Sequence, residues 1–371
     1  STQKEDQMIF TLPITVKDGA PLGYWLTPIL VDALSKQYQE QGVLCYGRLG
    51  LRSPTPSLEN AFHKTLNFLG QTCNRKPDSD FKDDLLNLSR EVYAGGSIEH
   101  REQDCYRCPC GCLELPVHIA QFAKEKTFTR TGNAYICKVC KQPGEVARVS
   151  GGFFQIGSDW SLESISVYPE WYQGELRELV RQLHEQGIPL ARARTTGLSQ
   201  GDMNLDVEFV WSLMPLLFAR QHPNERIRLV ITNHVLRQAA IALLLAKALN
   251  PDLKADLIVS PCITHPGVLE KWNVDRLIEL GFTGDLLRFM LIGSLGWQAK
   301  DSCLYDASAT VEYRRFMLLK RRVQDAQEGE LARPYTPHEA LHNLSQQNLA
   351  QGLRHVFNPE RFSYQTLVGL F

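Results

Sequence analysis

The residues best suited to chemistry in this sequence are six cysteines packed into one short stretch. The segments "CYRCPCGC" (105–112) and "CKVC" (137–140) contain six of the ten cysteines. Two cysteines three residues apart on a tight turn can direct both thiolates at one ion, and two such turns make a tetrahedral zinc site. We therefore expect a structural zinc held by four thiolates, with free buried cysteines as the alternative. The candidate ligands are Cys105, Cys108, Cys110, Cys112, Cys137 and Cys140, and the upstream pair stays open because Cys108 can pair with any of its three neighbours.

The cysteine-rich stretch interrupts a chain that otherwise alternates strand and helix patterns. A strand-like run (8–14), a helical periodicity (22–41) and the strand-like "VLCYG" form one β-α-β unit. Residues 227–260 repeat the pattern, and residues 274–327 and 336–353 have helical character. These patterns predict an α/β fold, a Rossmann-like doubly wound parallel sheet with a zinc-knuckle and helical insertion and a helical C-terminal extension. The expected domains are the first half of the core (1–96), the insertion (97–152), the second half (153–295) and the extension (296–371).

Composition narrows the classes of function. The formal net charge is −1, so the chain has no basic bias of the kind typical of strong nucleic-acid binders. The longest apolar run, "AAIALLLA" (239–246), is far shorter than the roughly 20 residues that cross a membrane. The polar N-terminus shows no signal-peptide pattern. We expect a cytoplasmic protein without membrane partners, whose cysteines serve as metal ligands and core residues instead of disulfides.

Several segments, taken in order, resemble the class I aminoacyl-tRNA synthetases, and the methionyl type most closely. The first strand, turn and helix around "GAPLGYWL" (19–26) are similar to the family's signature region, and "YAGGSIEHREQDCYRCPCGCLEL" is similar to the approach to its zinc knuckle. The segments "IPLARARTTGLSQGDMNLDVEFVW" and "DRLIELGFTGDLLRFMLI" resemble the run into its Val-Trp helix and a later helix pair. The likeness covers roughly residues 8–320, and it rests on the order of these segments more than on any one of them.

The resemblance implies ATP as a cofactor, whereas all three nucleotide motifs of the family are altered here. The His-x-Gly-His turn has Pro21 and Tyr24 in place of its histidines and keeps only Gly23. The place of the lysine-rich loop is taken by "SPCITHPG" (260–267), which has no lysine, and "TNHVL" (232–236) replaces the Gly-Lys-Asp-like turn. Whether this chain binds ATP therefore stays open at this point.

The resemblance also assigns candidate site residues. As substitutes for the lost phosphate donors, the candidate catalytic residues are Tyr24, Lys17, His234 and His265, and the candidate cofactor-binding residues are Pro21, Gly23, Asn233 and Thr264. The matching amino-acid pocket consists of Leu12, Pro13, Arg48, Trp211 and Pro215. The family's acidic anchor for the substrate amine is missing, and Arg48 and Arg52 stand nearby, which favours a substrate with a carboxylate or phosphate. For each of these residues the alternative is a purely structural role, as a helix start, an exposed turn, a solvated loop or a core position.

Three functions remain open. The first is an enzyme that activates or transfers an amino acid to a non-tRNA small-molecule acceptor in a biosynthetic pathway, forming an ester or amide, as the hydrazine-synthetase type does with a similar domain. The second is a transferase that uses aminoacyl-tRNA, as cyclodipeptide synthases do. The third is a non-catalytic binding or regulatory module. A biosynthetic partner enzyme is expected for the first, and recognition of a tRNA anticodon is not expected, because only residues 321–371 follow the region of resemblance.

Overall fold

A computed structural model describes residues 7–38, 40–49, 53–114, 128–138, 140–193, 198–297, 299–304, 306, 313–314, 317–318 and 321. Nine α-helices lie within these ranges, and we number them in chain order. They are α1 Leu26–Tyr38, α2 Pro56–Phe68, α3 Lys82–Gly95, α4 Tyr172–Gln186, α5 Val207–Ser212, α6 Met214–Gln221, α7 Leu236–Leu249, α8 Val274–Glu279 and α9 Gly284–Gly293.

The same ranges contain seventeen strands, which form two large sheets and two small ones. They are β1 Met8–Thr11, β2 Ile14–Thr15, β3 Gln41–Gly47, β4 Asn74–Pro77, β5 Ile98–Arg107, β6 Leu113–Glu114, β7 Phe128–Thr131, β8 Ala134–Cys137, β9 Glu145–Phe154, β10 Ser166–Tyr168, β11 Ile188–Arg192, β12 Leu198–Gln200, β13 Met203–Leu205, β14 Arg226–Thr232, β15 Lys254–Ser260, β16 Cys262–Thr264 and β17 Asp301–Cys303.

The central sheet is parallel throughout and has the order β10-β15-β14-β1-β3, with β2 and β4 on opposite edges of β3. β2 continues the line of β1 after a break at Leu12 and Pro13. Proline has no N–H to donate, so a break in strand pairing at this position is expected. The two β-α-β units predicted from the sequence are both present, as β1-α1-β3 and β14-α7-β15.

Both faces of this sheet are covered by helices, which confirms the doubly wound architecture. Along β1, Phe10 belongs to a core shared with α3 to α7, whereas its neighbour Ile9 belongs to a core shared with α1, α2, α8 and α9. Successive side chains of a strand point to opposite faces. Near-continuous apolar strands are therefore the pattern expected of a buried parallel sheet.

The cysteine-rich insertion continues into an antiparallel sheet of order β12-β13-β11-β9-β5-β6. Its longest pairing joins β5 to β9 along ten residues of each strand, from Ile98–Phe154 to Arg107–Glu145. The boundary expected at residue 152 falls within β9, and β11 from the second half of the core adds to the same sheet. The insertion and the core are therefore joined by backbone hydrogen bonds.

The predicted helical tract 274–327 differs in one respect. Helices α8 and α9 are present, but the chain then forms the strand β17, which pairs in parallel with β16. Gly293 and Gly296 end the helical run, since glycine disfavours helix interiors. The predicted tail helix 336–353 lies outside the described residues. Among the helices that are described, none has the length and apolar character needed to span a membrane.

Candidate functional site

The order of strands places the candidate residues on one edge of the sheet. From β1 the chain crosses to β3 on one side, whereas the second β-α-β unit, β14-α7-β15, lies on the other side. Ligands of open α/β sheets bind at the carboxyl ends of the strands where the order reverses. At this switch point Leu12 and Pro13 follow β1, both buried, and Asn233 and His234 follow β14. The predicted pocket residues Leu12 and Pro13 and the residues of the altered turn 232–236 therefore lie at the ends of neighbouring strands.

The turn that holds Pro21 and Gly23 contacts the loop that replaces the lysine-rich motif. The Gly23 N–H donates to His265 Nε2 at 3.0 Å. A Cβ on residue 23 would lie 2.9 Å from His265 Cε1 and 3.0 Å from Ile263 Cβ, so only glycine allows this approach. His265 must carry its proton on Nδ1 in this contact, because Nε2 accepts. The loop thus places the His265 imidazole against the turn, where it accepts the hydrogen bond from the Gly23 backbone N–H.

The segment after His265 closes over the same turn. Pro21 and Asn273 form an isolated antiparallel bridge, the Asn273 side-chain amide donates to the Gly19 carbonyl, and the Val274 N–H donates to the Ala20 carbonyl at 3.3 Å. Thr264 is exposed, and its hydroxyl donates to the Ser302 carbonyl at 3.3 Å, toward β17. Three contacts therefore fasten the turn to this segment.

Tyr24 and Lys17 form a local pair beside the turn. The Tyr24 hydroxyl donates to the Thr15 carbonyl, and the Lys17 ammonium lies 5.3 Å from the centre of the Tyr24 ring. Burial raises the pKa of Tyr24 above its usual range, so the phenol remains protonated at neutral pH. Its proton is committed to a backbone carbonyl.

Four side chains at or just beyond the ends of β14 and β15 form a cluster, and two of them, Thr232 and Cys262, are not among the predicted site residues. The Cys262 thiol donates to Asn233 Oδ1 at 2.7 Å and lies 3.4 Å from His234 Nδ1. Thr232 Oγ1 lies 2.7 Å from the same nitrogen. Cys262 was part of the segment compared with the lysine-rich loop, and sequence spacing gave no sign that it would meet a histidine 28 residues away.

Two residues of the predicted amino-acid pocket contact a buried carboxylate that sequence reasoning missed. Asp78 follows β4, is fully buried and accepts the Trp211 indole N–H at 2.6 Å. It also accepts the backbone N–H of Arg48 at 2.6 Å and of Leu49 at 3.1 Å. Burial raises the pKa of Asp78 in spite of these hydrogen bonds. The carboxylate joins α5 to the loop after β3, and nothing in the spacing of "PDSDFKDD" distinguishes this acid from its neighbours.

Arg48 is paired within the protein. Its Nε donates to Glu59 Oε2 at 3.0 Å, and its Nη1 donates to Ser79 at 3.4 Å. Tyr46 also donates to Glu59, at 2.7 Å. The charge of Arg48 is therefore compensated by Glu59, which weakens its expected role as an anchor for a substrate carboxylate.

Helix α5, which carries Trp211, packs directly against the end of β3. A Cβ on Gly47 would lie 2.6 Å from the Trp211 ring, so the absence of a side chain at the end of β3 makes room for the indole. Pro215 is buried in the first turn of α6, in the core behind this wall. Arg52 lies outside the described residues.

Four cysteine sulfurs lie together in the insertion. Those of Cys108, Cys110, Cys112 and Cys137 are all within 4.8 Å of one another, and Cys140 packs against the same cluster. Zn–S bonds of about 2.3 Å in a tetrahedron require S–S separations of about 3.8 Å. The 3.5 Å (Cys110–Cys112) and 3.7 Å (Cys110–Cys137) separations fit this geometry, whereas Cys108–Cys110 at 2.7 Å would open by about 1 Å.

The cluster could therefore hold a metal ion, and its donor set is one that zinc accepts. Cys105 lies apart from it, buried beside Val149. Side chains alternate along β5, and Cys105 belongs to the strand itself, whereas Cys108 begins the turn that follows.

No protein-family model matches this sequence, and no curated protein matches it. Solved structures do match. A methionyl-tRNA synthetase of Mycobacterium tuberculosis bound by methionyl-adenylate superimposes with a TM-score of 0.62 at 12% identity, over 96% of this chain and 83% of the other. The fold is that of a methionyl-tRNA synthetase. A second structure of that synthetase with methionyl-adenylate gives 0.60 at 12% identity over 99% and 81% of the two chains, and its free form gives 0.54 at 13% identity over 100% and 79%.

The match confirms the predicted class I, methionyl-type architecture and explains why the sequence segments occur in that order. At 12% identity the likeness to the methionyl-tRNA synthetase fold concerns the path of the backbone. The chemistry of the site depends on the side chains of this chain, and these differ from the family pattern at Pro21, Tyr24 and the 260–267 loop.

Proposed function

We propose that this protein transfers an amino acid, as its acyl group, to a small-molecule acceptor other than tRNA. The fold is that of a catalytic domain related to the synthetases. The observation that carries the proposal is the Asp78 carboxylate, which accepts hydrogen bonds from Trp211 on α5 and from Arg48 after β3 and so holds these two elements together. These contacts fix Trp211 and the loop after β3 beside each other at the switch point of the sheet, where ligands of open α/β folds bind.

The nucleotide side of the site supports transfer more than activation. Synthesis of an adenylate develops charge on a phosphate, which cationic or N–H donors must meet. Here the Gly23 N–H is donated to His265, and the loop 260–267 contains no lysine. The residues present do not fit the phosphates of ATP. We expect the acyl group to arrive already activated, as an ester or thioester.

We further propose that the ion held by the cysteine cluster is zinc, in a structural role. A site closed by four thiolates leaves no coordination position for water, and zinc brings no redox chemistry to it. Cys108, Cys110, Cys112 and Cys137 would hold the ion and fix the turn between β5 and β6 against β8. The ion would stabilise the insertion and take no part in acyl transfer.

The test of the function uses simple donors and a simple acceptor. The protein is incubated with the N-acetylcysteamine thioesters of the twenty amino acids and hydroxylamine, and aminoacyl hydroxamates are measured by mass spectrometry. We expect a rate above the protein-free background for one amino acid or a small group, and its loss in Trp211→Ala. A parallel series with free amino acids, ATP and Mg²⁺ detects activation. If neither series exceeds background for any amino acid, the proposal is wrong.

A second candidate, a non-catalytic binding module, is favoured by the contacts that close the phosphate turn. The bridge between Pro21 and Asn273 and the Gly23–His265 hydrogen bond leave the turn fastened to its own chain. In that case an amino acid would bind without any turnover. Calorimetry that shows amino-acid binding by a protein inactive in both series would favour the module. Binding of charged but not uncharged tRNA would favour the aminoacyl-tRNA-dependent alternative.

A further inference from the structure

The cluster around Cys262 has the composition of an activated nucleophile. Its sulfur lies 3.4 Å from His234 Nδ1, at hydrogen-bond distance for a thiol. A thiol is reactive as its thiolate, and an adjacent histidine that accepts the proton is a common means of forming it. Cys262 is partly exposed and His234 is exposed, so a substrate can reach both.

Neighbouring groups fix the geometry of this pair. The Asn233 amide donates through Nδ2 to the Lys300 carbonyl, which turns Oδ1 toward the Cys262 thiol at 2.7 Å. The Thr232 hydroxyl lies 2.7 Å from His234 Nδ1 and holds the ring beside the sulfur. A nucleophile, a base and a third group that orients them form the arrangement typical of covalent catalysis.

Two further features favour a thiolate and a ligand at this position. The cluster stands where a short 3-10 turn, Asn233–Val235, leads into α7, and the positive end of a helix dipole stabilises a nearby anion. Tyr172 is almost fully buried, and its hydroxyl has no hydrogen-bond partner of good geometry although the Asn233 amide lies beside it. A buried hydroxyl without a partner is costly unless a ligand satisfies it.

We propose that Cys262 is a catalytic nucleophile that accepts the aminoacyl group as a thioester, with His234 as its base. This inference deepens the proposed function and rests on it for the identity of the acyl group. It names the step by which an activated amino acid is held before transfer. The strand ends place this thiol at the carboxyl edge of β14 and β15, the edge on which the pocket also lies.

The step balances without any oxidant or metal. The Cys262 S–H turns from Asn233 Oδ1 to His234 Nδ1 and gives up its proton there, and the thiolate attacks the carbonyl carbon of an activated acyl ester or thioester. The bond from that carbon to the leaving alkoxide or thiolate breaks, and the leaving group takes the proton from the imidazolium. Attack by the acceptor amine, hydroxylamine or alcohol then breaks the Cys262 thioester and restores the thiol.

The first experiment measures the reactivity of the thiol without any acyl donor. The protein is alkylated with limiting iodoacetamide at pH 7, and each cysteine is quantified by peptide mapping. Cys303 is the matched control, because it is exposed on the neighbouring strand β17 and its thiol lies 3.9 Å from the Leu304 carbonyl oxygen instead of beside an imidazole. Since an ordinary thiol is only a few per cent ionised at this pH, we expect Cys262 to react roughly tenfold faster than Cys303. His234→Asn should remove that difference.

The second experiment looks for the thioester itself. The protein is mixed with the N-acetylcysteamine thioesters of the amino acids, quenched in acid and weighed intact. We expect a mass increase of one aminoacyl group on wild-type protein and Cys303→Ala, none on Cys262→Ala, and its release by hydroxylamine. Cys262→Ser, which retains the shape of the side chain, should accept the group more slowly and release it as an ester.

Failure of the inference and failure of the proposed function give different results. Equal alkylation of Cys262 and Cys303, or hydroxamate formation that is unchanged in Cys262→Ala, overturns the nucleophile and leaves the transfer function in place. Rapid alkylation together with acylation by acetyl N-acetylcysteamine, but by no aminoacyl donor, retains the nucleophile and contradicts the amino-acid substrate. Absence of any acyl adduct on Cys262 from either donor overturns the inference.

Discussion

The hydrogen bond between Trp211 and Asp78 offers a quantitative test of how the pocket wall is held. The perturbations are Trp211→Phe, Asp78→Asn and the double variant. The indole N–H donates to Asp78 Oδ2 at 2.6 Å and the Arg48 N–H donates to Oδ1 at 2.6 Å, while the Leu49 N–H is shared between Oδ1 at 3.1 Å and Oδ2 at 3.2 Å. Phenylalanine removes one donor, whereas asparagine converts one acceptor into a donor.

The expected magnitudes follow from that geometry. A hydrogen bond to a buried charge contributes about 1.5–3 kcal/mol, so Trp211→Phe should lower the free energy of unfolding by about 2 kcal/mol. In Asp78→Asn the new NH₂ must face either the indole N–H or the Arg48 N–H, and the shared Leu49 N–H lies near both positions, so one short hydrogen bond is replaced by two opposed donors. That conflict costs a further 2 kcal/mol or so, which removal of a buried charge partly offsets. In the double variant the indole N–H is gone, so we expect a coupling of about 1–2 kcal/mol.

Urea unfolding followed by far-ultraviolet circular dichroism measures these values without relying on tryptophan fluorescence. With a slope of about 2 kcal/mol per molar urea, each single substitution should lower the midpoint by about 1 M. The unfolding midpoint of the double variant should lie well above the value obtained by adding the two single losses. Effects that add within about 0.5 kcal/mol would refute the contact, because independent sites are additive to that degree.

Three other perturbations test separate contacts. Asp32→Asn should cost about 3 kcal/mol at pH 7. Burial alone would raise the pKa of Asp32, but the charges of Arg288 and Lys36 and a hydrogen bond from Thr72 outweigh it and hold the pKa below its usual range. The stability from this carboxylate is therefore present above about pH 4 and lost as the pH falls through its lowered pKa, so the gap to Asp32→Asn in unfolding free energy should close in acid. Gly23→Ala should lower the free energy of unfolding by about 1–3 kcal/mol in the same urea assay, since its Cβ would lie 2.9 Å from the His265 imidazole, and His265→Ala in that background should restore part of the loss. Elemental analysis should find about one zinc per chain, reduced in Cys110→Ser and retained in Cys105→Ser.

The course of the backbone was predictable because it depends on patterns that a sequence carries locally. Runs such as "IRLVIT" and "KADLIVS" are apolar on both faces, and they became β14 and β15. Such strands belong in a parallel sheet covered by helices on both sides. Once two β-α-β units are recognised, the right-handed crossover rule leaves few arrangements, and the switch point follows.

Side-chain partners were less predictable, because they depend on contacts between distant segments. Arg48 was read as a candidate anchor for a substrate, yet Glu59 on α2 lies within hydrogen-bond distance of its guanidinium. Asp78 was overlooked since one acid among several in "PDSDFKDD" has no distinguishing spacing. Cys262 and His234 meet only because β14 and β15 end side by side, with Thr232 opposite Ser260. A sequence gives the residue types, but the register of two strands decides which of them face each other.

The same register explains how a synthetase fold can lose its nucleotide motifs and retain a reactive edge. The ends of β14 and β15 are fixed by seven paired residues, from Arg226–Lys254 to Thr232–Ser260, so any side chains placed just beyond them are held close together. In this chain those side chains are an amide, an imidazole and a thiol, and the turn at Gly23 is fastened to His265. A site of this composition is suited to covalent acyl transfer, which requires a nucleophile and a base but no donors for a triphosphate. If Cys262 accepts the acyl group as we propose, acyl transfer should persist without ATP, and that result would distinguish a change of chemistry from a simple loss of function.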